Sequence, residues 1–91
     1  MNEMELLSRW RAEIGRQLLD GAIHVRLKDI AEATRAQVES PIQALSLWKG
    51  LWRELEDEGL VRLVHHSDEE SGLVDLFKLT DEGSDPAAWH K

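Results

Sequence analysis

Ninety-one residues, 42 % of them apolar, suit one small domain around one core and rule out a chain that is disordered throughout. The absence of cysteine excludes a disulfide framework, a thiolate metal site and a cysteine nucleophile. The net charge of −7 argues against indiscriminate nucleic-acid binding, but it is unevenly spread: residues 1–53 carry eight Lys/Arg against seven Asp/Glu, and residues 54–91 three against eleven.

Any anion-binding surface therefore belongs to the first part. Apolar runs are only a few residues long, so no membrane-spanning helix and no membrane partner are expected. The N-terminus lacks the basic-then-apolar pattern of a signal peptide, and a cytoplasmic location is the expectation.

Residues 2–19 predict a first helix. Met4, Leu6, Leu7, Trp10, Ile14 and Leu18 gather on one side at helical spacing, and Asp20-Gly21 supplies the stop. Residues 22–27 alternate apolar and polar and predict a short strand, with His24 and Arg26 toward solvent. Residues 28–35 predict a short second helix that buries Ile30 and Ala31, with Ala33 or Thr34 completing the face. A turn over 36–39 offers Val38 to the core.

The best-marked element is a third helix. Ser40 is a favourable N-cap, Pro41 suits the first helical position, and Gln43 completes a Ser-x-x-Gln capping box. Gly59 is a natural residue for the left-handed position after the helix. At about 100° per residue, Ala44, Leu45, Leu47, Trp48, Leu51, Trp52 and Leu55 share one broad face. Gln43, Ser46, Lys49, Gly50, Arg53 and Asp57 take the other. Trp48 and Trp52 are expected to fill much of a small core, while Leu47 and Leu51 stand where the face could extend into a dimer seam.

Residues 60–66 and 73–79 predict the two strands of a hairpin around the polar turn 67–72. Residues 84–91, with Pro86 and Trp89, read either as a frayed tail or as a short packed helix. The expected organisation is one domain over 1–83 followed by a C-terminal tail over 84–91.

Four pieces in this order, Leu27-Lys28-Asp29-Ile30-Ala31-Glu32-Ala33, Ser40-Pro41, Leu55-Glu56-Asp57-Glu58-Gly59-Leu60-Val61 and Lys78-Leu79-Thr80-Asp81-Glu82-Gly83, resemble a winged helix-turn-helix. The last is similar to the close of the wing in many bacterial members. The resemblance implies an α+β fold, three helices with a small antiparallel sheet or β-hairpin wing, and a third helix that enters the major groove by its N-terminal half.

On that reading the DNA-binding candidates are Lys28, Arg35, Gln37, Ser40, Gln43, Ser46, Lys49 and Arg53. Gln suits adenine, Arg or Lys suits guanine, and Ser and Lys suit phosphate. The expected function is a small sequence-specific transcriptional regulator on double-stranded DNA. A homodimer is expected because one module of this size buries little duplex surface.

Two features oppose this. The expected wing tip, Asp68-Glu69-Glu70, and the end of the third helix, Glu54, Glu56, Asp57 and Glu58, repel phosphate. A DNA-bound domain is therefore expected to turn its wing away. The alternative is an acidic winged-helix protein–protein interaction module that makes its contact through Trp10, Trp89 or the acidic wing. His65-His66 beside the acids does not predict a metal site, because neighbouring strand residues face opposite ways, and no cofactor is expected. There is no Gly-rich phosphate loop, His-Glu-x-x-His or Gly-x-Ser-x-Gly, so catalysis is not expected.

Overall fold

The computed structural model describes residues 2–65, 73–74 and 76–90. Helix α1 (Glu3–Leu19) starts where Asn2 Oδ1 accepts the backbone N–H of Glu5 at 2.8 Å, with Glu3 and Glu5 favourably placed in the first turn. Leu6, Trp10, Ile14 and Leu18, each four residues after the last, form its buried stripe. Met4, expected on that stripe, is 82 % exposed in the first turn. The helix stops in a Schellman motif: Gly21, at φ +97°, donates to Leu18 O, and Ala22 donates to Gln17 O.

The strand expected over 22–27 shortens to β1 (Val25–Arg26): Ala22 is taken up in the end of α1 by its bond to Gln17 O, among the described residues only Val25 and Arg26 find strand partners, and α2 (Leu27–Thr34) begins one residue earlier than the sequence suggests. Ile30 is its buried anchor. Thr34 serves the local backbone: its hydroxyl donates to Ile30 O at 2.7 Å and accepts from the Ala36 N–H. Arg35 follows in the left-handed region, at φ 54°. Ala36 is the fully buried residue of the following turn, whereas Val38 is only partly buried against the core.

Helix α3 (Pro41–Asp57) has the expected N-cap and C-terminal glycine, but only the Ser40 half of the expected capping box forms among the described residues. Ser40 Oγ accepts the Gln43 N–H, and Gly59, at φ +78°, donates to Glu56 O while Leu60 donates to Leu55 O. Leu55 and Leu60, the apolar pair that accompanies this motif, are both buried. Trp48, Leu51 and Trp52 are buried with Leu55, and Ala44, Leu45 and Leu47 line the margin. Leu51 is covered within the single chain and needs no second subunit.

Strands β2 (Val61–His65), β3 (Leu73–Val74) and β4 (Leu76–Leu79) complete the sheet elements. The return strand expected over 73–79 is divided between two partners. Its first part pairs antiparallel with β1, Val25 opposite Val74, and its second pairs antiparallel with β2, Val61 opposite Leu79. The β2–β4 register shifts between Leu63 and His65. The expected polar turn, His66 and the acidic tip Asp68-Glu69-Glu70 lie outside the described residues.

Thr80 locks the strand end to the end of α3. Its backbone N–H and its hydroxyl both donate to Leu60 O, and the hydroxyl also lies within hydrogen-bond distance of Gly59 O and accepts the Gly83 N–H. Gly83 lies so close to the α3–β2 junction that an added Cβ would stand 2.0 Å from Leu60 O. This accounts physically for the Leu-Thr-x-x-Gly sequence.

Residues 84–90 take the packed form. Short 3-10 turns at Glu82–Ser84 and Pro86–Trp89 fold the chain back onto α1. Trp89 is 1 % exposed, donates to Gly83 O at 2.8 Å, and lies where any Cβ on Gly15 would overlap its ring. The segment expected as a tail is thus part of the body.

The core centres on indoles. Trp10 and Trp48 meet edge-to-face at 5.9 Å, and Trp48 and Trp52 at 5.7 Å. Trp10 Nε1 donates to Ala36 O at 2.7 Å, tying α1 to the α2–α3 turn. Arg11, only 6 % exposed, makes a two-pronged contact with Glu58 at 2.5 and 3.2 Å and donates to Ala88 O at 2.9 Å. One guanidinium therefore joins α1, the end of α3 and the C-terminal turn. Burial lowers its pKa, and the nearby Glu54 charge opposes that shift.

Arg11→Ala is expected to destabilise the domain by about 2–3 kcal/mol, less than a fully buried pair because Glu58 keeps some access to water. Urea unfolding measures it, and a loss below about 0.5 kcal/mol, the level of an exposed pair, would contradict this role. Acid sensitivity is expected at Glu13, whose carboxylate pKa is lowered chiefly by hydrogen bonding to Arg16, against a smaller desolvation effect. A lowered folded value contributes stability above the ordinary carboxylate range and loses it as pH falls through the folded value. Glu13→Gln should therefore be less stable than the parent at neutral pH, and the difference should close on acidification. An unchanged gap across the acid range would exclude this linkage.

Candidate nucleic-acid interface

The third helix bears most of the candidate residues, and its inner face is committed to the core. With Trp48, Leu51, Trp52 and Leu55 turned inward, helical geometry sends Gln43, Ser46, Gly50 and Arg53 outward, and all four are exposed. Ser40 is exposed as well, with its Oγ already accepting from Gln43 N–H. Lys49 is half-buried at the edge of this face and is engaged in an interaction of its own. Lys28, at the start of α2, Arg35 and Gln37 are exposed.

These candidates come together in part. Lys28 and Gln37 line one shallow hollow with Ala31, Glu32 and Ala44. Gln37 and Gln43 line another with Glu3, Glu39 and Leu47. Both hollows therefore hold carboxylates beside the amides. Arg35, Ser46, Lys49 and Arg53 border neither.

The cations divide by element. On α1, Arg9 pairs with Glu5, Arg11 with Glu58, and Arg16 with Glu13 and Asp20. Arg26, Lys28, Arg35 and Arg53 are exposed and make no ion pair among the described residues. Arg62 and Lys78 are also exposed and stand directly opposite each other on β2 and β4, a like-charge pairing that a sheet does not favour by itself. Between Pro41 and Arg53, α3 contains no carboxylate; its acids begin at Glu54.

Sequence reasoning missed Ile42. It is 82 % exposed in the first turn of α3, on the same flank as Ser46 and Arg53. The signal was available: an isoleucine that falls outside the apolar arc of an otherwise well-patterned helix.

The tryptophan anchors expected for a protein partner are not presented. Trp10 is fully buried and Trp89 almost so, the first bonded to Ala36 O and the second to Gly83 O. A groove of about 560 Å³ lies between α1, the end of α2 and the C-terminal turn. Its arginines, Arg9 and Arg16, are already matched by carboxylates, and none of the eight candidates lines it. No helix among the described residues is long and apolar enough to cross a membrane.

Compared with protein-family models, curated proteins and solved structures, the chain matches none of them.

Proposed function

We propose that this is a winged-helix-like DNA-binding regulator that lays the outward flank of α3 in the major groove of double-stranded DNA and acts as a homodimer. The observation that carries the reading is the division of the cations. On α1, Arg11 is buried against Glu58 and the exposed Arg9 and Arg16 each stand beside a carboxylate, whereas Lys28, Arg35 and Arg53 are exposed without an ion pair among the described residues. Between Pro41 and Arg53 α3 itself carries no acid, so the helix offers that stretch of its outward flank to a polyanion, ahead of the acids that begin at Glu54.

Arg53 supplies a guanidinium that can read guanine, Gln43 an amide that can read adenine, and Lys28 and Arg35 charges for phosphate. The net charge of −7 then works as a filter: only the local flank is attractive, and non-specific binding is weak. An interaction module anchored by Trp10 or Trp89 is not supported, because both indoles are spent on the core.

Titration at 50–200 mM salt with a labelled duplex that the protein selects from a random-sequence pool tests the reading. Binding should weaken steeply as salt rises. Arg53→Ala should weaken it by about 5-fold or more, within the ~1–3 kcal/mol range of a base-reading arginine. No duplex binding at the lowest salt, or equal binding by a variant with Lys28, Arg35 and Arg53 all changed to Gln, would reject it.

A further inference from the structure

Ile42 and Gly50 are unexplained by folding. Ile42 is 82 % exposed and adds nothing to the core. Gly50 sits inside α3, where glycine weakens a helix, yet a Cβ built there would meet nothing within 4 Å. No packing contact and no positive φ calls for it. Ile42, Ser46 and Gly50 are spaced four residues apart on the exposed side, so side-chain bulk falls from isoleucine to hydroxymethyl to hydrogen along one track.

We propose that Ile42 is a specificity-determining residue that packs on the 5-methyl group of a thymine in the major groove, with Gly50 bare so that the duplex can approach the helix closely. This rests on the DNA-binding reading above and extends it to base identity. The major groove displays one apolar group, the thymine methyl, and an aliphatic side chain at the front of the groove-entering helix is its chemical match. Charge favours a duplex over another acidic copy of this chain: no carboxylate occurs on α3 itself before Glu54, Arg53 lies on the same flank as Ile42, and Glu3 and Glu39 share the hollow lined by Gln43 and Leu47, which Ile42 and Arg53 do not border. Gln43, next to Ile42 and exposed, supplies the amide for an adjacent adenine.

The test starts from duplexes selected by the intact protein from a random-sequence pool. In the tightest binder each thymine is replaced in turn by deoxyuridine, which removes only the methyl group. One replacement is expected to weaken the parent about fourfold, the effect of one buried methyl group, and to leave Ile42→Ala unaffected. Gly50→Ala should unfold at higher temperature than the parent and bind the same duplex at least threefold more weakly. Equal deoxyuridine sensitivity in parent and Ile42→Ala, or full affinity in Gly50→Ala, would overturn the assignment while leaving DNA binding intact. Loss of self-association in Ile42→Ala with unchanged duplex affinity would also overturn it and give the side chain to a second copy. Failure to select any duplex would remove both this assignment and the DNA reading.

Discussion

Everything in this domain turns on the packing of α3 by its tryptophans. Trp48 and Trp52 lie one turn apart on the same face and meet the ring system of α1 through Trp10. Large rigid rings bury much area and tolerate few orientations, so they fix the rotation of α3 about its axis. Once that rotation is set, the direction of Ile42, Ser46, Gly50 and Arg53 follows from helical geometry alone. The outward face is a consequence of the inward one.

Polar contacts then hold the frame around this core. Trp10 reaches the backbone of Ala36, Thr80 joins the β4 end to the α3–β2 junction, and Arg11 gathers Glu58 and the Ala88 carbonyl. Each is long-range in sequence, and each takes a group that burial would penalise and gives it a partner. Of the α1 arginines Arg11 is buried in this frame, while Arg9 and Arg16 stay exposed beside carboxylates of their own helix; Lys28, Arg35 and Arg53 are exposed without an ion pair among the described residues. The proposed DNA-binding role draws on that division and not on overall charge, which is negative.

Much of the fold was legible because its signals are local. The caps of α3 at Ser40 and Gly59, and the glycine stop after α1, depend only on neighbouring backbone geometry. The same is true of the inward stripe of α3. Elements set by distant partners were harder to read. The return strand divides because its two parts pair with β1 and β2, which no alternation within 73–79 reveals. Trp89 was ambiguous because its place depends on the space left by Gly15, far away in sequence. Arg11 gave no sign of burial, since its acceptors come from Glu58 and Ala88. Among the candidate site residues on helices, exposure followed from the helical pattern for Lys28, Gln43, Ser46 and Arg53, while Lys49 sits at the margin of the α3 face; Arg35, Gln37 and Ser40 are exposed in the turn between α2 and α3. Ile42 was overlooked because reading the helix as two faces left no category for an apolar residue on the polar one.

On the proposed reading, α3 folds the protein with one face and meets duplex with the other. Backbone amide shifts measured by NMR during titration at low salt with a short duplex that the protein selects from a random-sequence pool test it most directly. Changes are expected to concentrate at Ile42, Gln43, Ser46, Gly50 and Arg53, with α1 residues such as Ile14 and Leu18 undisturbed. Changes confined to α1 and the C-terminal turn, or none at saturating duplex, would contradict it.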